Sequence, residues 1–201
     1  MTNYTEFIKK VMEVESRFGG IRGLKLKNLD LSSVKCKNLL NIGSGKSEFR
    51  NICENYFSLD NDPDLDADFK NFADIPDDLK FDFVIANQVF EHISKSDFPD
   101  FVSDLSSKMS LGAIIVATVP NTSNWQQFAN NYDHKNPLTF YHIGAMFEIN
   151  NIAVDDCFFY TKRPNEIIDA SDTDKYLFDF LKKYFEVTPA QFVAVTGIKK
   201  E

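Results

Sequence analysis

The sequence has no apolar stretch long enough to cross a bilayer and no basic run with interleaved aromatics, and it holds only three cysteines and three histidines in 201 residues. The first absence removes a spanning helix. The second, with a formal net charge of −8, removes duplex nucleic acid and anionic membranes from the expected partners, because both repel an acidic chain. Cys36, Cys53 and Cys157 are odd in number and widely spaced, fitting neither a zinc pattern nor a disulfide framework, so reduced, buried thiols are expected. The amino terminus is amphipathic and mixed in charge, without the apolar stretch of a signal peptide, and the default expectation is cytoplasmic. What the chain does have is phenylalanine, 20 residues of it within 43% hydrophobic content. That is enough for a core without disulfides or structural metal, and the length is that of one domain over residues 1–201.

Tyr4, Phe7, Ile8, Val11, Val14 and Phe18 recur at helical spacing, predicting a helix over the first 18 residues that ends at Gly19 and Gly20. Residues 1–20 are read as a helical brace or lid. From Leu39 onward short apolar runs alternate with helical patterns: "LLNI", the helix "SEFRNICENY", "FSLD", a short "ADFK" and "FDFVIA". A helix near 97–109, the strand "AIIVATVP", a helix near 138–149, "IAVDDCFFYT", a helix near 174–185 and "AQFVAVTGIKK" follow. This alternation indicates an α/β fold, a mainly parallel sheet covered on both faces, with the last two segments forming an antiparallel pair at one edge.

The stretch "LLNIGSGKSEF" ends like a phosphate-binding loop, in Gly45, Lys46 and Ser47. Such a loop needs a further glycine five positions before the Gly-Lys pair, where this chain has Leu40, a strand residue. Without the lysine the pattern is strand, Gly43, Ser44, Gly45, helix. Gly43 permits a tight turn, and Gly45 lets a ligand lie on bare backbone. Asp60, at the tip of the next strand, is placed to accept both hydroxyl hydrogens of a ribose. Glu48 stands where a dinucleotide loop carries its third glycine, and a carboxylate there opposes a pyrophosphate. S-adenosylmethionine, which has no phosphate, fits better than a nicotinamide dinucleotide, although an NAD-dependent oxidoreductase stays among the alternatives.

"LLNIGSGKSEF", "FSLDNDPDLDADFKNFADIP" and "FDFVIANQVFEHI", in that order, resemble the consecutive signatures of class I S-adenosylmethionine-dependent methyltransferases, particularly those acting on small molecules and glycans. The resemblance covers residues 38–120. It implies a Rossmann-like, doubly wound, seven-stranded, mostly parallel sheet with an antiparallel edge strand, and S-adenosylmethionine as cofactor. Carried onto this chain, it assigns cofactor binding to Asn41, Gly43, Ser44, Gly45, Asp60, Asn61, Asn71, Phe72, Asn87 and Gln88. Glu91 and His92 would face the reaction site. Asn41, Ser47 and Asn71 depart from the family pattern, since an amide brings no charge to the ammonium of the methionine tail. A non-catalytic, cofactor-binding regulatory or partner protein of the same fold is therefore the main alternative.

Methyl transfer from a sulfonium asks the protein mainly to align an acceptor and exclude water, with a base for a hydroxyl acceptor. The segment "VPNTSNWQQFANNYDHKNPLTFYHIGAMF" follows the fifth strand and suits a hydroxylated small molecule or glycan, methylated at oxygen or nitrogen. His134 is the first candidate for the base, then His92, with Asp133 to orient or charge a partner. His142 falls in a predicted helix and reads as a packed or surface residue. Trp125, Phe128 and Tyr132 share helical spacing, equally suited to core and to an aromatic wall. No pair at metal-ligand spacing supports a site built from these histidines and Asp133, so no metal is expected.

Overall fold

The structure is a computed structural model describing residues 4–20, 24–27, 31, 34–45, 49–122, 128–129, 131–160 and 192–201. The expected helix near 174–185 lies outside the described residues. The strands are β1 (Lys25–Leu26), β2 (Asn38–Ile42), β3 (Asn55–Leu59), β4 (Phe81–Asn87), β5 (Met109–Pro120), β6 (Ile152–Tyr160) and β7 (Phe192–Lys199). They form one seven-stranded sheet in the order β1-β6-β7-β5-β4-β2-β3. Every neighbouring pair is parallel except those of β7, which runs antiparallel to both β5 and β6. The antiparallel strand expected at an edge is thus β7, two places in, because β6 and the short β1 continue the sheet beyond it. The short "ADFK" segment meets the sheet through a parallel bridge between Leu59 and Phe69.

Alternate residues of the central strands feed two cores. Leu40, Ile42, Val84, Ala86, Ile115 and Ala117 face the larger one, while Leu39, Phe83, Ile85 and Val116 face the smaller. The larger core is covered by α1 (Tyr4–Phe18), α2 (Phe98–Lys108) and α3 (Phe140–Ile149). Among the described residues the smaller one is covered by Leu31, Val34 and Cys36 and by Phe49, Ile52, Cys53 and Tyr56. The segment "SEFRNICENY" was expected to be a helix there. Its described residues 49–54 are turns, held by Glu54 N–H to Cys36 O (3.2 Å) and Asn55 N–H to Lys37 O (2.7 Å). Cys36 and Cys53 are paired as a disulfide, 4.9 Å apart at Cα, which corrects the expectation of three reduced thiols; Cys157 is free and buried. Two cysteines 17 apart in sequence gave no pairing signal, since turns of this kind, not spacing, bring them together.

The helix α1 lies on α3. Phe18 meets Phe140 edge-on, Phe7 stacks on His142, and Arg17 and Lys10 both pair with Glu148. A Cβ on Gly144 would come within 2.8 Å of Val14, so only glycine lets the two helices approach this closely. His142 serves α3 as the third residue of its N-terminal capping box with Thr139, the packed role expected of it. No described helix is long and apolar enough to cross a membrane. From β2 the chain steps outward to β3 on one side and β4 on the other, which opens a crevice at the carboxyl ends of these parallel strands.

Candidate functional site

That crevice begins where β2 ends. Gly43 turns the chain with φ +63° and donates its N–H to Leu59 O at 2.8 Å; a Cβ here would sit 2.6 Å from Val89 Cγ2. Gly45 has φ +45° and, among the described residues, nothing within 4 Å of where a Cβ would stand. Its N–H donates to Asp60 Oδ2 at 3.3 Å, while Asp62 N–H donates to Asp60 Oδ1 at 3.1 Å. The carboxylate is thereby held across from the glycine loop, with each oxygen keeping a lone pair.

Beside it is a cavity of about 450 Å³. Of the residues named for cofactor binding, Gly43, Asp60, Asn61, Asn71 and Phe72 line it, together with Lys70, Val89, His92, Ile93, Phe101 and Asp104. Phe101 and Asp104 come from α2, whose packing register carries no local sequence signal. Phe72 is buried and meets Phe101 edge-on at 5.0 Å. Asn71 starts a short 3₁₀ turn (Phe72–Asp74): its Oδ1 accepts from Ala73 N–H at 2.9 Å, and Asp74 Oδ2 accepts from Asn71 N–H at 3.0 Å. What Asn71 can still offer a ligand is its amide N–H pair, a donor where an acid would only accept.

The other expected cofactor residues lie outside the cavity lining. Asn41 is 2% exposed and donates to Tyr56 Oη at 3.0 Å, serving β3 on the smaller core's side. Ser44 is buried in the loop, and Ser47 lies outside the described residues. Asn87 is the last residue of β4 and Gln88 follows it, but both are tied to Thr118 of β5. Gln88 N–H donates to Thr118 O at 3.0 Å, Gln88 Nε2 donates to Thr118 Oγ1 at 3.2 Å, and that hydroxyl donates to Asn87 Oδ1 at 2.7 Å. Gln88 has φ +58°, a conformation non-glycine residues rarely adopt and one that concentrates at ligand sites. The sequence analysis missed Thr118, whose one signal is a hydroxyl in the otherwise apolar "AIIVATVP".

Next to the cavity is a cluster of Glu91, His92 and His134. Glu91 and His92 lie on the 3₁₀ turn Phe90–His92. The loop bearing His134 is fastened to that turn by Lys135 N–H and Asn136 N–H, both donating to Glu91 O at 2.7 and 3.0 Å. Glu91 is 1% exposed, and neither carboxylate oxygen has a hydrogen-bond partner among the described residues. Burial pushes its carboxyl up to about 8. His134 Nδ1 lies 2.7 Å from Phe128 O, so Nδ1 carries the proton and Nε2, 3.9 Å from Glu91 Oε1, carries the lone pair. His92 packs edge-on against His134 at 5.0 Å; burial first, then that histidine, lowers its pKa. Asp133 is exposed and acts on His92, whose protonated form it favours, while the Phe128 carbonyl orients His134. Phe128 is buried and Tyr132 is 94% exposed, so they do not share a face; Trp125 lies outside the described residues.

No protein-family profile matches the sequence, and comparison with curated proteins gives no match. Solved structures do match. A SAM-dependent methyltransferase from Archaeoglobus fulgidus superposes with a TM-score of 0.64 at 18% identity, over 94% of this chain and 99% of that one. The N-methyltransferase NodS from Bradyrhizobium japonicum WM9, in complex with S-adenosyl-L-homocysteine, gives 0.55 at 10% identity over 98% of each chain. A 1,6-didemethyltoxoflavin-N1-methyltransferase from Burkholderia thailandensis gives 0.56 at 9% identity, over 100% of this chain and 80% of that one. The sheet order, the glycine turn at its crevice and these superpositions agree: the chain has the fold of the class I S-adenosylmethionine-dependent methyltransferases.

Proposed function

We propose that the protein is an S-adenosylmethionine-dependent methyltransferase acting on a small-molecule or glycan acceptor, at oxygen or nitrogen, as one domain with residues 1–20 bracing it. The observation that carries this reading is the meeting of three features in one cavity at the strand ends: the Gly43 turn, the Asp60 carboxylate, to which the Gly45 N–H donates, and the buried Phe72. A Cβ at Gly43 would fill the turn, and the volume falls in the range of small-ligand sites. The residues present fit an adenosyl group: Asp60 would take the ribose hydroxyls, Phe72 would flank the adenine and Asn71 would donate to a ring nitrogen. Bound there, S-adenosylmethionine supplies an electrophilic methyl group on a sulfonium.

The remaining tasks fall to this chain's side chains. His134, which packs behind the cavity lining against His92, would take a proton from the acceptor through its Nε2 lone pair, with the Phe128 carbonyl holding the ring in the tautomer this requires. His92 lines the cavity beside it and would border the acceptor. Two of the structural neighbours are N-methyltransferases, which supports nitrogen alongside oxygen as the atom methylated.

Calorimetry with S-adenosylhomocysteine tests the cofactor. Wild type is expected to bind it, and Asp60→Ala to lose at least about tenfold, since hydrogen bonds to a charged group contribute roughly 1.5–3 kcal/mol. Undiminished binding by the variant, or tight binding of NAD with no response to S-adenosylhomocysteine, overturns the reading. Transfer of labelled methyl to a panel of sugars, alcohols and amines then separates an enzyme from a cofactor-binding partner protein.

A further inference from the structure

The cluster beside the cavity contains a feature that proton transfer alone leaves unexplained. Glu91 places a carboxylate out of water with neither oxygen hydrogen-bonded among the described residues, an arrangement native proteins avoid because the desolvation is uncompensated. Facing it at 3.9 Å is the Nε2 lone pair of His134, whose side chain is 8% exposed. Two lone-pair atoms this close call for something positive between them, a proton or a metal ion. The Phe128 carbonyl fixes this arrangement by accepting the Nδ1–H of His134, and the main chain of Asp133 favours the protonated form of His92. A metal-ligating histidine usually donates its other ring N–H to a carbonyl or carboxylate, as His134 does to Phe128 O.

We propose that Glu91, His92 and His134 bind one divalent first-row transition ion, with zinc as the reference case. One donor atom from each residue lies within 4.8 Å of the other two. Two imidazoles and one carboxylate are a donor set that zinc accepts when a fourth position is left for water or substrate. Around zinc, ligands at about 2.0–2.1 Å lie roughly 3.3 Å from each other, so the Nε2 to Oε1 separation closes by a modest side-chain rotation. The backbone is already fixed for this, because the amides of Lys135 and Asn136 clasp the carbonyl of Glu91. His92 lines the cavity and so gives the ion a way in and its open position a way out. The spacing of the ligands hid this site: two are adjacent and the third lies beyond β5. The inference does not rest on the methyltransferase reading, since the ion binds to this chain alone; with the ion bound, the His134 Nε2 lone pair is its ligand, and the base role proposed above belongs to the ion-free chain.

The test uses the untagged full chain, stripped with chelator and titrated with Zn²⁺ by calorimetry and with Co²⁺ by visible absorption. One ion per chain is expected, with the d–d bands of a low-coordinate Co²⁺ site. Glu91→Gln and His134→Ala are expected to weaken binding at least tenfold, and His142→Ala to leave it unchanged. Should the variants fail to fold, long-range ¹H–¹⁵N spectra of the wild type decide. Zn²⁺ is expected to move the ring nitrogens of His92 and His134 but not those of His142. Absence of stoichiometric binding in wild type, retained affinity in Glu91→Gln, or a response confined to His142 overturns the proposal and leaves a protonated Glu91 as the group facing His134. S-adenosylhomocysteine binding, measured separately on the stripped chain, shows whether the cofactor reading survives either result.

Discussion

Replacing Gly43 by alanine imposes two costs that can be measured apart. A non-glycine residue at φ +63° pays roughly 1–2 kcal/mol for the left-handed conformation. The new Cβ would also stand 2.6 Å from Val89 Cγ2, and forcing a methyl into packed space costs roughly 1–3 kcal/mol. Gly43→Ala should therefore destabilise the fold by about 2–5 kcal/mol. Gly45→Ala, at φ +45° with open space around its Cβ, should pay only the first cost, about 1–2 kcal/mol. Val89→Ala removes Cγ2 but keeps its Cβ, which lies 3.7 Å from the added atom, an ordinary contact. The double variant should then recover the overlap, giving a coupling of about 1–3 kcal/mol in a cycle measured by urea unfolding. If the two substitutions add to within about 0.5 kcal/mol, the overlap does not exist and the closeness of the glycine turn to the β4 tip has been misread.

Glu91 gives a pH signature. Its carboxyl, ordinarily near 4.5, is raised to about 8, so the folded chain holds a proton that the unfolded chain has released. In chelator, stability contributed by this group should fall as pH rises between those values, by at most about 1.4 kcal/mol per unit. Glu91→Gln should lose that slope and be the more stable protein above pH 8; an unchanged slope would falsify the desolvation argument. Thr118→Val should cost about 1–3 kcal/mol by leaving the Gln88 amide without its acceptor, with Thr118→Ser restoring most of it. Equal stability of the valine variant would show that the Asn87, Thr118 and Gln88 contacts hold nothing together. Thiol titration of the denatured, unreduced chain should find one reactive cysteine, Cys157, and three after reduction; three from the outset would refute the Cys36–Cys53 pairing.

The parts of this site that were legible in the sequence are those built from local spacing. Gly43, Gly45 and Asp60 belong to one strand–turn–strand unit, and a turn that demands glycine announces itself. Phe72 and Asn71 carry no such spacing signal and were named only through the resemblance to the methyltransferase signatures. The helix expected after the glycine loop shows why apolar spacing alone misleads: Phe49, Ile52 and Cys53 do face the core, but as turns pinned to residues 36 and 37 by backbone bonds. The meeting of His134 with Glu91 depends on main-chain bonds from Lys135 and Asn136, which leave no trace in residue identity. Asp133, adjacent in sequence, looked like the natural orienting group. The carbonyl of Phe128 takes that part, and carbonyls are common to every residue. Asn41 and Asn71 read as lost charges, whereas in the fold one ties β2 to β3 and the other caps a turn.

The clasp of residues 135 and 136 on the carbonyl of Glu91 involves no side-chain atom. Its grip is therefore blind to which amino acids occupy 131–133 and 135, so long as neither clasping position becomes proline. A library randomised there can vary the loop beside the cavity while His134 stays moored against Glu91 and His92.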